Sequence, residues 1–187
     1  MDKKTIIKSL DENVIQFNEL VKYLNKDEFE ININHKWSAG QDLVHLIKVL
    51  KIVNIGFTLP KPLLQLMYGI NKNEARSFQL LQTLYKNALE GGAKSPSIYI
   101  PKPVLFESKN HLIQKHATLN QLFIDKINDH SDNALDRYRL PHPILGKVTL
   151  RELACFTSFH TAHHFELLKI KKPHAETTKD PRFNINP

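Results

Sequence analysis

Three histidines lie within five positions in the segment FHTAHHFELL, residues 159–168. They are His160, His163 and His164, in a stretch whose apolar residues are typical of a buried helix. At about 100° per residue, His160 and His164 differ by about 40° and lie one turn apart on an inward stripe. Two imidazoles at this spacing can hold one divalent cation. His163 is rotated about 60° in the other direction and is predicted to lie on the flank.

A pair of histidines on an apolar helix face also has a purely structural interpretation. Each imidazole can be a core residue that is satisfied by one hydrogen bond. The segment differs from the zinc-protease pattern HExxH, because Thr161 stands where that pattern has its carboxylate base. The pair therefore leaves metal binding and core packing open, and it argues against a protease.

A third histidine, His45, lies in the segment QDLVHLIKVL of an earlier predicted helix. Val49, Ile52 and Gly56 continue the stripe of His45 along that helix. The stripe runs along the edge of a broad apolar arc, so the pattern permits an inward His45 without requiring it. The three histidines can meet only if the two helices are suitably staggered.

Apolar residues at spacings of three and four predict four long helices. Ser38 and Gln41 fit a capping box at the start of the second, and Thr149 and Glu152 fit another at the start of the last. The predicted bounds are 3–24, 39–57, 104–129 and 150–171.

These helices predict an all-α fold, a four-helix bundle, formed by a single domain over residues 1–187. Its core spans about 3–172, and residues 58–103 form a long crossover insertion with an extra helix at 73–90. The segment before the last helix is predicted to be a loop with one short helical turn. No strand pattern and no internal repeat is found, and residues 173–187 are predicted to form a polar tail.

Composition narrows the class of protein. The formal net charge is +7, but the lysines are spread along the chain, so a solvated basic surface is favoured over a nucleic-acid site. Cys155 is the only cysteine, which excludes an intrachain disulfide and a cysteine-rich metal site. No signal peptide and no apolar run of about 18–20 residues is found, so we expect a cytoplasmic protein without a membrane span.

Two motifs together resemble the DinB-like superfamily, which includes YfiT-like metal-dependent hydrolases. One is a Trp-Ser pair that opens a helix, with a histidine seven residues after the serine. The other is a terminal helix that is introduced by HPxxGxxT and carries HxxHH. Each motif is loose, but their order and spacing are fairly specific and cover about residues 5 to 171. The matching residues are Trp37, Ser38, His45, His142, Pro143, Gly146, Thr149, His160, His163 and His164.

The resemblance implies a metal site built from three histidines, which correspond here to His45, His160 and His164. His163 matches the doubled histidine of the family but is not expected to be a ligand. The implied cofactor is a divalent metal ion, with zinc and nickel the most plausible, and three neutral imidazoles do not choose between them. Three protein ligands leave positions for water or substrate, as in catalytic rather than structural sites. A homodimer is also implied.

Family members resemble metal-dependent hydrolases or low-molecular-weight thiol S-transferases. We therefore expect a metal-dependent enzyme with a small-molecule substrate, for which a low-molecular-weight thiol is a candidate. The alternative is a non-catalytic helical bundle for binding or dimerisation that retains the histidines. Asp42 is predicted about 60° to the flank of His45, Glu166 on the far side of its helix and Glu152 in its cap. The lack of an acidic base slightly favours thiol or Lewis-acid chemistry.

Three further residues have both a structural and a functional interpretation. His142 lies just before the last helix, where it is a candidate to orient a ligand or contact substrate, or is a plain turn residue. Cys155 is rotated about 140° from His160, which favours a small buried side chain over a nucleophile. Trp37 precedes a helix cap and is predicted to staple the start of the helix rather than to bind a ligand.

Overall fold

The computed structural model describes residues 1–32 and 36–171. The predicted polar tail lies outside these residues. The described chain is 72 % helical, with one short antiparallel hairpin, which confirms the all-α prediction. Its helices are α1 (Lys3–Lys22), α2 (Lys26–Glu30), α3 (Ala39–Thr58), α4 (Lys61–Tyr68), α5 (Phe78–Glu90), α6 (Lys109–Asp129), α7 (Asp132–Arg137) and α8 (Leu150–Lys171), and its strands are β1 (Arg139–His142) and β2 (Gly146–Thr149).

The four long helices α1, α3, α6 and α8 form the bundle, in which α1 and α3 each pack on both α6 and α8. Helix α1 buries one face at the spacing that the sequence predicts. Its buried apolar residues are Ile6, Leu10, Val14, Phe17 and Val21.

Hydrogen bonds between helices give their directions. Helix α1 runs antiparallel to α6, because Lys3 donates to the carbonyl of Asn128 while Lys109 donates to the carbonyl of Lys22. Helix α3 runs antiparallel to α8, because Asp42 faces His164 while His45, further along α3, also faces the earlier His160.

Helices α3 and α6 are parallel neighbours in this arrangement. Asn54, late in α3, donates to the carbonyl of Leu119 and accepts through its own carbonyl from Lys126. A chain that joins two parallel helices must return along the length of the bundle. The segment between α3 and α6, with α4 and α5, makes this return.

Both predicted capping boxes are present. Ser38 Oγ accepts from the Gln41 N–H at 3.2 Å, and the Gln41 side chain accepts from the Ser38 N–H at 3.0 Å. Thr149 and Glu152 exchange the same pair of bonds at 2.9 and 3.0 Å. Each cap is typically worth about 1 kcal/mol, and together they define where α3 and α8 begin.

The prediction that the chain has no strand is wrong. Strands β1 and β2 pair antiparallel, with Arg139 opposite Thr149 and His142 opposite Gly146. Each strand has only four residues, too few for a clear alternating pattern.

Helix α4 was also missed, because Pro60 and Pro62 suggest a break. Pro62 instead lies in the first turn of α4, where a missing backbone N–H costs little.

Among the described residues, no single helix combines the length and apolar character of a membrane span. Helices α3 and α4 meet those criteria only as a pair, with a bend of 106° between them.

The crossover is anchored to the start of α8 by one ion pair. The Arg76 guanidinium and backbone N–H donate to the Glu152 carboxylate at 2.7–3.1 Å, and the same guanidinium donates to the carbonyls of Leu145 and Lys147. Burial alone would raise the pKa of Glu152, but the bonds from Arg76 and from the Thr149 N–H outweigh it and lower the pKa.

We expect Arg76→Met to lower the free energy of unfolding by about 1–3 kcal/mol, because it leaves the buried Glu152 carboxylate with fewer donors. Urea unfolding followed by circular dichroism measures this loss. Arg137→Met is the matched control, since Arg137 is exposed. Equal losses in the two variants would contradict a specific anchoring role of Arg76.

Candidate metal centre

Three buried histidines converge where α3 faces α8. His45 comes from the second turn of α3, and His160 and His164 lie one turn apart on α8. Their ring centroids are 4.7–5.1 Å apart, and one potential ligand atom of each lies within 4.8 Å of the others. Each is only 4–6 % exposed. The stagger of α3 against α8 thus turns His45 inward, which the sequence pattern left open.

Two of the three imidazoles are oriented by hydrogen bonds at their Nδ1 atoms. His164 Nδ1 lies 3.0 Å from the Asp42 carboxylate, and His45 Nδ1 lies 3.1 Å from the backbone carbonyl of Tyr99. Both partners are acceptors, so each Nδ1 carries the proton and each Nε2 keeps a lone pair. Metal-binding histidines in proteins are held by the same kind of outer partner.

The spacing of the nitrogen atoms fits a bound divalent cation. His45 Nε2 and His160 Nε2 are 3.4 Å apart. Two imidazole ligands at about 2.0–2.1 Å from a tetrahedral centre are separated by roughly the same distance.

His160 Nδ1 is buried and finds no hydrogen-bond partner in the described part of the chain. His160 therefore differs from the other two in lacking a partner at Nδ1, and its ring packs against Phe156 and Tyr85.

Burial keeps the His45 and His160 imidazoles neutral at neutral pH. Desolvation, and then the neighbouring His164, lowers the pKa of His45 to about 4. The same two causes hold the pKa of His160 well below its ordinary value. A histidine must be unprotonated to bind a metal, so this environment keeps both side chains in the ligand form.

The depressed pKa values predict acid sensitivity of the metal-free protein. Burial lowers the pKa of His45, His142 and His163 to about 4 and that of His116 to about 3, all below the unfolded value of 6.5. Their contribution to stability is complete above pH 6.5 and is lost as the pH falls towards 4. A fully buried group such as His116 costs up to about 1.4 kcal/mol per pH unit in this window.

Thermal unfolding of the metal-free protein between pH 7.5 and 4.5 measures this effect. We expect a progressive fall in Tm that begins near pH 6.5, and a smaller fall in His116→Asn. A Tm that stays constant down to pH 4.5 would contradict the neutral, buried state of these histidines.

One face of α3 also holds a strap, residues 97–101 of the crossover. Four consecutive carbonyls of the strap, those of residues 98–101, accept from α3 side chains. Lys48 donates to the first and third at 3.2 and 2.8 Å, His45 to the second and Gln41 to the fourth. The crossover thereby sets the tautomer of His45, a role that its proline-rich sequence does not signal.

The three histidines open into a cavity of about 470 Å³, within the range of ligand sites in proteins. Trp37 lines this cavity, with its ring 4.9 Å from that of His45 and stacked at 6.4 Å on that of His164. Trp37 thus lies in the cavity wall as well as before the Ser38 cap, and its predicted role as a staple rather than a ligand-binding residue stays a prediction. Tyr85 and Tyr99 also line the cavity and were not identified from the sequence.

His163 and His142 lie on the walls of the same cavity. His163 is half-buried beside Tyr85, with ring centroids 6.0 Å apart, and lies outside the close cluster of three. His142 Nδ1 accepts from the N–H groups of Ile144 and Leu145, which is the predicted turn role. Its ring also packs edge-on against Phe156 at 4.4 Å.

The three acidic side chains named in the sequence analysis are each bonded to another group, and Cys155 is buried. Asp42 is buried and bonded to His164, although its position on the helix wheel suggested a flanking residue. Glu152 completes the cap of α8 as predicted, and Glu166 is exposed and paired with Lys169. Cys155 is buried, which raises the pKa of its thiol to about 11 and disfavours a nucleophilic role.

Comparison with known proteins supports one family. Neither the curated proteins nor the solved structures contain a significant match to this chain. The family model of the DinB superfamily matches residues 9–168, from the second turn of α1 to the last turn of α8. This range includes most of each of the four bundle helices and the three clustered histidines, and on this evidence the chain belongs to the DinB superfamily.

Proposed function

We propose that this protein is a metal-dependent enzyme that transfers a group to or from a low-molecular-weight thiol. The observation that carries the proposal is the buried cluster of His45, His160 and His164 at the wall of a cavity, with no fourth protein ligand beside it among the described residues. Structural metal sites are normally closed by a fourth protein ligand, whereas catalytic sites keep a position for substrate.

The chain's own residues would hold the metal and shape its surroundings. A divalent cation bound by the three imidazoles would favour the deprotonated form of a thiol or of water. Asp42 and the Tyr99 carbonyl keep the protons of His164 and His45 on Nδ1, away from the cluster. The largely apolar walls would lower the effective dielectric around the cluster, which strengthens electrostatic interactions there.

Thiol transfer is favoured over hydrolysis by the lack of a carboxylate base. None of the described residues that line the cavity is Asp or Glu. The nearest buried carboxylate, that of Asp42, accepts the Nδ1 proton of His164. A thiol needs less help than water to lose its proton, because its pKa of about 8.5 is close to neutral pH. The thiol proton would leave to solvent, because His163, whose pKa burial lowers to about 4, is too weak a base to hold it.

Metal content is the first test. Protein purified without a polyhistidine tag is expected to contain, or to take up, about one zinc or nickel ion per chain by elemental analysis. The His160→Ala variant is expected to contain none. A wild-type protein that neither contains nor takes up a divalent metal overturns the proposal.

Thiol transfer is tested with the electrophilic dye monobromobimane and a panel of cellular thiols. In the reaction, a sulfur–carbon bond forms, the carbon–bromine bond breaks, and bromide and the thiol proton are released. We expect at least one thiol to react faster with the metal-loaded protein than with His160→Ala. Equal rates for all thiols would overturn thiol transfer and leave metal binding standing.

A further inference from the structure

The cavity beside the three histidines carries no charged side chain. Among the described residues that line it, none is Asp, Glu, Lys or Arg. Its polar lining residues include the three clustered histidines, and others, such as Tyr68, Ser95 and His142, come from α4, the crossover and the hairpin. Most of the other lining residues are apolar and come from α3, α5, the β1–β2 hairpin and α8. The apolar lining residues include Val49, Ile52, Leu59, Leu89, Pro141, Ile144, Leu153 and Phe156.

This lining discriminates between classes of ligand. A carboxylate or phosphate in the apolar part of the cavity would lose its hydration without gaining a cationic partner, at a large cost in binding free energy. An uncharged apolar group would gain about the same transfer free energy per CH₂ as any buried hydrocarbon. The net positive charge of the chain does not change this, because none of the lysines and arginines that the structure describes lines the cavity.

The different chemistry of the cavity walls would orient a bound ligand. Histidines 45, 160 and 164 form one wall, with Trp37 packed over two of their rings. The hairpin residues Pro141 and Ile144 contribute to the apolar walls. A molecule with one reactive end and an apolar body would place the reactive end at the histidines and bury the body between α3, α5 and α8.

We infer that the second substrate of this site, which reacts with the thiol, is a small uncharged molecule with a largely apolar body. This inference rests on the proposed function for the reaction, but the binding of the apolar body depends only on the cavity. It excludes a substrate whose anionic groups must be buried, such as a sugar phosphate or a dicarboxylate.

Trp37 provides a direct readout of occupancy. It is the only tryptophan of the chain and lines the cavity. Bromine quenches tryptophan fluorescence on contact, so ω-bromo-1-alkanols of four, six and eight carbons serve as uncharged probes. The titrations use metal-free protein, so that a failure of metal binding does not affect them.

We expect quenching that saturates, with an affinity that rises roughly fourfold for each added CH₂ until the cavity is full. The charged analogue 6-bromohexanoate at pH 7.5 is expected to bind at least about tenfold more weakly than 6-bromo-1-hexanol. Equal affinities for these two six-carbon probes, or an affinity independent of chain length, would overturn the inference.

Cavity variants locate the binding. Val49→Asp introduces a carboxylate into the wall and is expected to weaken 6-bromo-1-hexanol at least about tenfold. Ile15→Asp is the matched control, since Ile15 is 54 % exposed on α1 and outside the cavity lining. Leu89→Asp, on α5, replaces Val49→Asp if the latter fails to fold by circular dichroism. Unchanged affinity in the folded cavity variant would overturn the inference, whatever the outcome of the metal analysis.

Discussion

Replacing His160 with alanine is expected to abolish stoichiometric metal binding. His160 is central to the cluster, with its Nε2 atom 3.4 Å from that of His45 and its ring 4.7 Å from that of His164. Two remaining imidazoles would hold a cation much more weakly. Loss of an outer partner alone typically costs about 10–100-fold in metal affinity, so loss of a direct ligand should exceed about 100-fold.

The stability of the protein provides a second measurement of the same loss. A metal present at about 100 times its Kd stabilises the folded state by about 2.7 kcal/mol, which corresponds to a rise in Tm of about 5–10 °C for a chain of this size. We expect this rise in the wild type after addition of zinc or nickel, and no rise in His160→Ala. Each Tm is compared with that of the same variant without metal, so the effect of the mutation on packing cancels.

His163→Ala is the matched control for this experiment. His163 lies on the same helix and lines the same cavity, but it is outside the cluster. It should bind metal with wild-type stoichiometry and show the full rise in Tm. If His163→Ala and His160→Ala lose the metal equally, or if His160→Ala keeps it, the assignment of ligands is wrong.

Replacing Asp42 with asparagine is expected to lower metal affinity by about 10–100-fold. The Asp42 carboxylate accepts from His164 Nδ1 at 3.0 Å, and both side chains are buried. The asparagine amide oxygen still accepts this bond but carries no negative charge. His164 then becomes a weaker electron donor at Nε2, and the positive charge of the cation is less well balanced. Competition with a chelating dye measures the change in Kd.

Asp11→Asn provides the control for the loss of one negative charge, because Asp11 is exposed on α1. It should change metal affinity by less than about twofold, since charges on the surface are screened. Equal affinities of Asp42→Asn and the wild type would show that Asp42 only packs against His164. Circular dichroism of the metal-free variants checks that both retain the helical fold.

Much of the bundle was predictable because its helices combine a strong apolar period with local stop and start signals. The predicted bounds of α8 agree with the structure, and those of α3 differ by one residue. Capping boxes at Ser38 and Thr149 act over three residues, so the sequence contains the whole interaction. The hairpin β1–β2 and helix α4 were missed because short elements depend on packing against the bundle rather than on their own periodicity.

The candidate site likewise has one part that the sequence predicts and one part that depends on the tertiary structure. Helical periodicity alone brings His160 and His164 onto one stripe, because one turn separates them whatever the tertiary structure. The position of His45 was left open, since its inward orientation depends on the stagger of α3 against α8. The assignment of these three histidines as metal ligands remains a prediction, which the variants above test.

The amino-acid sequence by itself determined the four long helices, the caps of α3 and α8 and the spacing of the paired histidines on α8, because those features depend on residues within one or two turns of each other. Only the tertiary structure decided that Asp42 meets His164, that the Tyr99 carbonyl meets His45 and that Trp37 covers the cluster. Tyr99 lies 54 positions from His45, and Asp42 lies 122 positions from His164. Packing of separate helices and of the crossover therefore brings these partners together.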